Sequence, residues 1–399
     1  MADRPYYFTW SDQANAEFLK IKNLTDHEFI LEGGASLADL SSISFQCSFG
    51  HRPAEIIASV KKQLNLFPVM PAKAVYPEKD DLSHQLIDLI NLDGGKIFYT
   101  VSGAEAVENA AKMARTTSRR QFIACRNNSY HGASSGALSL TGDWRNKQSH
   151  IVDERVIRIP EPSDDPNLEE TEKLLIKFGP HNVAAFCLET VSGINGVIDP
   201  SPQWWQGIQT LCEKYKIILI LDEVICGFYR TGPAFGLHRH DLKPDIVCMA
   251  KAISGGVVPF GAIWTSSKIA HYYQHKKLVA GLTNYAHPLG LAALSGVLQL
   301  TSKESFQLIL EKNIQTLKIF LDQVRPLNFV TKCRQVGMLA AIEAKPATRL
   351  SWKYFIDKGL YVSINTNNSL ILAPALNFTP ELLENSLNTL FTALRELDK

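Results

Sequence analysis

The sequence has no apolar run long enough to cross a bilayer. Its longest purely aliphatic run, Ile217 to Leu221, has five residues, whereas a membrane-spanning helix needs about 20. The opening MADRPYYFTW lacks an apolar signal segment, so we expect no export. The 41 Lys and Arg residues are balanced by 40 Asp and Glu residues. This balance excludes a strongly basic nucleic-acid binder and an acidic disordered tail.

Cysteine is sparse and shows no pairing pattern. The seven cysteines are scattered and include no C-x-x-C spacing: Cys47, Cys125, Cys187, Cys212, Cys226, Cys248 and Cys333. An odd, scattered set indicates reduced thiols in a cytoplasmic protein, most of them packing as small apolar groups. With 45% apolar and 20% charged residues among 399, the chain can bury a sizeable core without disulfides or a structural metal.

Short apolar runs alternate with helix candidates through the middle of the chain. The runs are continuous, which is typical of strands covered on both faces. They fall at 97–99, 122–125, 183–188, 217–221, 246–249 and 261–264. Helix candidates at 104–115 and 202–215 lie between them. The alternation predicts an α/β fold with a doubly wound, mostly parallel sheet.

The pattern changes after about residue 285. We predict an irregular N-terminal segment, 1–50, that packs on the domains, a large domain, 51–285, and a smaller α+β domain, 286–399. The last domain would hold two helices, one at 302–324 and one from 379 onward. It would also hold two short strands, at 338–342 and 370–372. The first of these helices has apolar residues at helical spacing, and the second opens with an N-cap and a proline.

Two ionisable residues at strand ends are the first candidates for chemistry. Lys251 comes directly after the run 246–249, where partial desolvation would lower the pKa of its amine and make it nucleophilic toward a carbonyl. Asp222 follows the run 217–221, at the end of the sheet where ligands of open α/β folds bind. A buried carboxylate there needs a cationic or hydrogen-bonding partner. The structural alternatives are a surface lysine and a helix-capping aspartate.

Two further groups follow the first two strands. Ser102, Gly103 and Ala104 open a helix, and free N–H groups at a helix N-terminus bind phosphate where glycine allows close approach. A plain N-cap is the alternative, and the pattern matches neither the P-loop nor the dinucleotide fingerprint, which disfavours a Rossmann dehydrogenase. Tyr130 and His131 follow the run 122–125, where an aromatic ring could stack on a flat cofactor.

Together the four groups supply what pyridoxal 5′-phosphate needs. These are a phosphate site, a stacking ring, a carboxylate for the ring nitrogen and a lysine for covalent attachment. They occur in chain order, each at or just after an apolar strand.

The chain resembles the class III, fold type I, pyridoxal-phosphate-dependent aminotransferases over almost its whole length. The segments that are similar to the family's D-E-V-x-x-G-F-x-R-T-G, P-D, K-x-x-x-G-G and P-x-G-A patterns are 221–232, 243–245, 250–256 and 259–262. The segment 102–108 is similar to S-G-[ST]-E-A-x-E, and 281–283 ahead of 287–288 to G-x-T with [HN]-P. The segments 8–11 and 49–51 resemble the branch acting on ω-amino acids and amines.

The resemblance implies a role for each residue. Lys251 would hold the cofactor as a Schiff base and act as general acid and base, and Asp222 would keep the pyridine nitrogen protonated. Thr283 would reach the phosphate of the neighbouring subunit, which implies a homodimer with shared active sites. The implied cofactor-binding set is Ser102, Gly103, Ala104, Tyr130, His131, Glu189, Asp222, Val224, Lys251 and Thr283.

Several positions depart from the family pattern. Ala104 replaces the usual Ser or Thr, and Ile194 replaces a gating Glu. The positions where family branches carry an Arg for a substrate carboxylate are Ile364 and Ile371, and no Arg occurs between 350 and 394. A bidentate Arg is the usual way to hold a carboxylate, so we expect glutamate and 2-oxoglutarate to be poor substrates.

We predict a substrate pocket with apolar walls. Its candidate residues are Trp10, Phe45, Tyr130 and Arg230. The expected donor is an amine or ω-amino compound with an apolar or extended body. A carboxylate contact from another direction could come from Arg52, Arg126 or Arg145.

The predicted reaction is transamination by a ping-pong mechanism between an amine or amino acid and an oxo compound. An aminomutase, racemase or decarboxylase of the same class is the alternative, since one fold hosts many reactions. A protein that binds cofactor without turnover is disfavoured by the presence of Lys251 and Asp222. The expected partners are small molecules and a second copy of the chain, with no nucleic acid and no membrane.

Overall fold

The computed structural model describes residues 4–151, 153–348 and 350–398. Residues 1–3 and 399, at the ends of the predicted N-terminal segment and small domain, lie outside this description. No helix in the described ranges is long and apolar enough to cross a membrane. All seven cysteines are free thiols and six of them are buried, as expected for small apolar packing groups.

The strands are β1 (Ile21–Leu24), β2 (Glu28–Leu31), β3 (Ser36–Asp39), β4 (Lys96–Thr100), β5 (Phe122–Arg126), β6 (Val156–Ile159), β7 (Val183–Glu189), β8 (Ile218–Asp222), β9 (Ile246–Met249), β10 (Gly261–Thr265), β11 (Val330–Val336), β12 (Leu339–Ala344), β13 (Leu360–Tyr361), β14 (Ser363–Ile364) and β15 (Ser369–Leu372).

The helices are α1 (Ser42–Phe45), α2 (Ala54–Leu66), α3 (Pro77–Ile90), α4 (Gly103–Ser118), α5 (Ser135–Leu140), α6 (Trp144–Ser149), α7 (Glu169–Phe178), α8 (Pro202–Tyr215), α9 (Ser267–Tyr272), α10 (Pro288–Thr301), α11 (Glu304–Val324), α12 (Trp352–Asp357) and α13 (Pro380–Leu397). The first of these is a single left-handed turn, with positive φ at all four residues.

A seven-stranded sheet forms the centre of the molecule. Its strand order is β4-β10-β9-β8-β7-β5-β6, and β10 alone runs antiparallel to its two neighbours. Every residue of β7, β8, β9 and β10 is buried, which explains their continuous apolar sequences. All six strands predicted for this region are present. The edge strand β6 alternates between buried and half-buried residues and shows no continuous apolar run.

Helix α4 packs on this sheet with a stripe of small residues. Ala106, Val107, Ala110 and Ala114 are fully buried. Short side chains let the helix lie close to the strands, which places its N-terminus beside the ends of β8 and β9. Helix α4 contacts five strands of the sheet: β4, β7, β8, β9 and β10.

The N-terminal residues are more regular than predicted. Strands β1, β2 and β3 form an antiparallel meander, and β13 pairs in parallel with β3 through Leu360–Ala38 and Tyr361–Asp39. The expectation of an irregular segment was therefore wrong. Strands β1 and β2 are largely exposed or half-buried, and β3 is largely buried but short and bounded by polar residues (Ser36 and Asp39), so none of them has the apolar run that marks a strand in the sequence. A third sheet, β11-β12-β15-β14, is antiparallel and contains both strands predicted for the C-terminal region.

Arg230 joins three distant segments inside the molecule, which corrects its predicted place in the substrate pocket. Its side chain is fully buried. One terminal nitrogen donates to Pro374 O at 2.6 Å and Met338 O at 3.4 Å, and the other to Ser48 Oγ at 3.0 Å and Ser42 Oγ at 3.3 Å. A buried guanidinium needs such acceptors, and the network ties α1 to the C-terminal region.

We expect Arg230→Met to lower the free energy of unfolding by about 2–4 kcal/mol, because four buried oxygens lose a charged donor. Denaturant-induced unfolding measures this change. Arg325→Gln is the control, since Arg325 and Asp322 form an exposed pair and the loss there should stay below about 0.5 kcal/mol. Equal midpoints for Arg230→Met and the parent chain would show that the network contributes nothing.

Candidate active site

A cavity of about 390 Å³ lies at the carboxyl ends of the central strands. Ligands of open α/β sheets bind at this edge. Nine of the ten residues predicted to contact the cofactor line it: Ser102, Gly103, Ala104, Tyr130, His131, Glu189, Asp222, Val224 and Lys251. The structure therefore brings together residues that are up to 149 positions apart in the chain, since 251 minus 102 is 149.

The N-terminus of α4 forms one wall of the cavity. Ser102 Oγ accepts a hydrogen bond from Glu105 N at 3.2 Å, and Glu105 Oε2 accepts one from Val101 N at 3.0 Å. This reciprocal cap leaves the first N–H groups of the helix, at Gly103 and Ala104, without intrahelical acceptors. A Cβ on Gly103 would lie 2.9 Å from Val224 Cγ1, so the backbone approaches Val224 only because the side chain is hydrogen. Such a helix end is suited to bind an anion.

Asp222 ends β8 and is held by two donors. Its Oδ2 lies 2.8 Å from His131 Nδ1, and its Oδ1 accepts from Val224 N at 3.0 Å. Burial alone would lower the pKa of His131, but the hydrogen bond and charge of Asp222 outweigh burial and raise it. His131 was predicted only as a neighbour of the cofactor. Its bond to a residue 91 positions away gives no signal in the sequence.

Lys251 begins a tight turn directly after β9 and lies at the cavity wall. Its φ of +50° is in the left-handed region, an uncommon conformation for a residue with a side chain. Burial lowers the pKa of the Lys251 amine, and the carboxylates of Asp222 and Glu189 oppose that change. A buried amine of lowered pKa is the form in which lysine acts as a nucleophile or base.

Glu189 and Arg126 form a buried ion pair behind Tyr130. Glu189 Oε1 accepts from Ser192 Oγ at 2.9 Å and from Tyr130 N at 3.3 Å, and lies 3.5 Å from Arg126 Nη2. Burial raises the pKa of Glu189 and the charge of Arg126 opposes it. Arg126 is fully buried and its other terminal nitrogen lies 3.7 Å from Glu161. This arginine is therefore already matched by two carboxylates of the chain.

The remaining predicted residues lie around the cavity rather than in its wall. Phe45 is buried among apolar side chains that include Val191 and Ile225, both of which line the cavity. Trp10 is half exposed, and its ring meets the Tyr130 ring edge-on with centroids 6.4 Å apart. Thr283 is exposed on a loop and is not part of the wall that one chain forms.

Some wall residues carried no signal in the sequence. Gln46, Ser254 and Phe260 line the cavity because the loops that bear them fold over it. Their residue types are common in ordinary loops and cores, so only the tertiary structure identifies them.

These features fit pyridoxal 5′-phosphate and define a class. A helix N-terminus with no room for a side chain at its first residue, a buried carboxylate and a buried amine of lowered pKa open on one cavity. The chain belongs to the class III aminotransferase family, whose model matches residues 13–394.

Relatives and solved structures agree with this assignment. The chain is 31% identical over 331 residues to gamma aminobutyrate transaminase 3 of Solanum lycopersicum, covering 74% of this chain and 62% of that protein. It is 30% identical over 372 residues to acetylornithine aminotransferase of Corynebacterium efficiens, covering 88% and 86%. The structure of taurine:2-oxoglutarate aminotransferase from Bifidobacterium kashiwanohense, in complex with the cofactor and glutamate, matches with a TM-score of 0.92 at 28% identity, covering 98% and 95%.

The predicted family, the fold type I α/β architecture, the cofactor and the transfer of an amino group are thus confirmed. The protein is a pyridoxal-phosphate-dependent aminotransferase. It moves an amino group between an amine or amino acid donor and an oxo acceptor.

We expect Gly103→Ala to weaken cofactor binding by about tenfold to a hundredfold, because the new Cβ would meet Val224 Cγ1 at 2.9 Å. Adding Val224→Ala should restore part of the affinity, because it removes the clash with Cγ1 and Cγ2 of Val224. Fluorescence titration of the cofactor-free protein measures both. Gly33→Ala is the control, since nothing lies within 4 Å of its Cβ position. Unchanged affinity in Gly103→Ala would contradict the close approach.

We expect the pKa of the His131 imidazole to lie above its ordinary value of about 6.5. In Asp222→Asn the pKa should fall below that value, because burial then acts without the carboxylate. Because folding raises the pKa of His131, its interaction with Asp222 stabilises the folded state. This stabilisation is complete below about pH 6.5 and is lost as the pH rises through the folded-state pKa of His131. NMR of histidine-labelled protein measures the titration, with His131→Gln to assign the signal. If Asp222→Asn leaves the titration midpoint of His131 unchanged, the coupling between His131 and Asp222 is refuted.

Proposed function

We propose that Lys251 holds pyridoxal 5′-phosphate covalently through Nζ and then moves the proton at the reacting carbon of the substrate. When bound, the cofactor supplies a ring that accepts electrons from that carbon. The observation that carries the proposal is that Lys251, Asp222 and the N-terminus of α4 open on one cavity. The lowered pKa of Lys251 supports its role as a base.

The other wall residues would orient and hold the cofactor. Asp222, fixed by His131 and Val224 N, would keep a proton on the ring nitrogen. Val224 and Tyr130 would pack against the two ring faces, and Glu189 would lie nearby. The N–H groups of Gly103 and Ala104 would bind the phosphate.

Assembly and location belong to the same proposal. Thr283 would complete the phosphate site of a second subunit in a homodimer, and its exposure on a loop supports this role. The large domain would span 51–285 and the small domain 286–399, with the segment 1–50 tied to the latter through β3 and β13. Seven free thiols support a cytoplasmic location.

The substrate would be an amine or ω-amino compound with an apolar or extended body. Ile371 is fully buried in an apolar cluster and Ile364 is half-buried, so neither position offers a cation for a carboxylate. Glutamate and 2-oxoglutarate would therefore be poor substrates. The names of several relatives describe terminal amines on extended chains, including gamma-aminobutyrate and putrescine.

An apolar primary amine, added alone to the cofactor-loaded protein, should change its visible spectrum and release one carbonyl product per site. Borohydride should fix the cofactor to the chain through Lys251, and Lys251→Ala should abolish this labelling. Lys268→Ala is the control at an exposed lysine. Faster reaction with glutamate than with any amine would overturn the substrate assignment. With an amino acid as the donor, loss of CO₂, racemisation or migration of the amino group, without release of a carbonyl product, would favour the decarboxylase, racemase or aminomutase alternative.

A further inference from the structure

Two buried cysteines lie beside His131. Cys125 on β5 and Cys187 on β7 each follow a residue that pairs with its counterpart across these parallel strands, so the two thiols lie side by side. Cys187 Sγ lies 4.0 Å from His131 Nδ1. Both cysteines are fully buried, and His131 is 3% exposed. Among the described residues, these three form the one group in which three potential metal ligands come within 4.8 Å of one another.

One ring nitrogen of His131 has no partner. Nδ1 is hydrogen-bonded to Asp222 Oδ2 at 2.8 Å, whereas Nε2 is buried and has no hydrogen-bond partner within the described ranges. A buried nitrogen that is left unsatisfied is unfavourable. Histidines that bind metal ions commonly use one nitrogen for the ion and donate from the other to a carboxylate. His131 has this arrangement, with Nε2 free to bind a cation.

Two thiols and an imidazole are suited to zinc. Thiolates and imidazoles are its usual ligands, and a set of two cysteines and one histidine leaves a fourth position for water. Ligand atoms on a tetrahedral zinc lie roughly 3.5–3.8 Å apart, given bond lengths of about 2.0–2.3 Å, so a movement on the order of 1 Å would close the set. Two thiolates and a neutral imidazole cancel the charge of Zn²⁺, so the centre can be buried. Binding releases both thiol protons, and the proton on Nε2 where His131 is charged.

The cavity gives an ion a path to these ligands. His131 lines the cavity, whereas neither cysteine does. The imidazole therefore contacts both the cavity and the thiol of Cys187. An ion that enters the cavity can reach the thiols along this ring.

No other cysteine in the described part of the chain belongs to such a group. Cys248 on β9 is fully buried in the same apolar cluster as Cys125 and Cys187. Cys226 Sγ donates to Val191 O at 3.1 Å. Packing alone explains the burial of these two cysteines. Cys125 and Cys187 differ from them because they lie beside an imidazole with an unpartnered nitrogen.

We propose that Cys125 Sγ, Cys187 Sγ and His131 Nε2 form a binding site for Zn²⁺. The site goes beyond the proposed function, because the ion takes no part in the transfer of the amino group. It shares His131 with Asp222. A bound ion holds the imidazole neutral with its one proton on Nδ1, so Asp222 keeps its hydrogen-bond donor but loses the positive charge beside it.

The test uses cobalt(II) as a coloured substitute for zinc in the full-length protein. Thiolate-bound cobalt absorbs at longer visible wavelengths than the cofactor, and displacement of cobalt by zinc gives the zinc affinity. One cobalt should bind per chain. Cys125→Ala and Cys187→Ala should each lower the zinc affinity by more than about a hundredfold, beyond the range typical of changes outside the ligand set. Asp222→Asn is a change of that outer kind and should lower the affinity about tenfold.

Cys248→Ala is the matched control, because Cys248 is equally buried in the same sheet but lies outside the group. It should leave the cobalt spectrum and the zinc affinity unchanged. A cobalt spectrum that persists in Cys125→Ala and Cys187→Ala would show an adventitious ion only, and the proposal would be overturned. Absence of cobalt binding to the parent protein would overturn it as well.

NMR of the histidine-labelled parent protein tests the site without any change at the cysteines, so it does not depend on whether those variants fold. Zinc should shift the His131 signal, assigned with His131→Gln, more than the signal of any other histidine. The measurement needs no turnover. A His131 signal that stays in place at saturating zinc would overturn the site, whereas a protein that binds zinc as expected but reacts with no amine would contradict the proposed function alone.

Discussion

The carboxylate of Asp222 at the end of a fully buried strand is the constraint on which the site depends. A buried charge is unfavourable unless donors surround it, and His131 and Val224 N supply two. The pair restricts the loop after β5, because His131 can reach Asp222 only if that loop folds back over the strand ends. The same fold sets Tyr130 at the cavity wall. The position of Tyr130 in the cavity wall therefore follows from the need to satisfy one carboxylate.

The sequence predicted the parts of the fold that are buried on both faces. Strands such as β7 and β8 are continuously apolar up to their last residues, Glu189 and Asp222, and short runs of this kind are typical of strands covered on both faces. Strands β1, β2 and β6 were missed because half-exposed strands tolerate polar residues, and β3 was missed because it has only four residues, two of them polar. The position of such strands depends on pairing with strands that are distant in the sequence, as β13 pairs with β3. This pairing produces no recognisable pattern in the local sequence.

The sequence predicted those residues of the candidate site that directly follow strands. It predicted less well the residues whose contacts lie far away in the sequence. Lys251, Asp222 and the segment at 102–104 follow strands directly, so topology alone brings them together. Arg230 lies in the loop between β8 and β9, yet its side chain turns into the core and binds oxygens more than 100 positions away. A charged side chain in a loop can face either a cavity or a set of buried carbonyl oxygens. The choice depends on contacts with other parts of the chain, which the sequence of the loop alone does not show.

The left-handed turn α1 shows how the structure holds a strained segment next to the site. Four consecutive residues with positive φ are costly for residues with side chains, roughly 1–2 kcal/mol each. The turn persists because its polar groups are fixed from several sides. Asp39 accepts from Ser41 N and Ile43 N, Ser42 Oγ donates to Ala373 O at 2.6 Å, and Arg230 contacts Ser42 Oγ.

The residue that follows this turn, Gln46, lines the cavity. A flexible loop in its place would let that wall of the cavity move. The buried guanidinium of Arg230 thus acts at a distance from the chemistry, since it keeps the turn and the C-terminal region in one arrangement. The cost of a strained backbone is balanced by a network whose members come from both ends of the chain, which links the shape of the cavity to the stability of the whole fold.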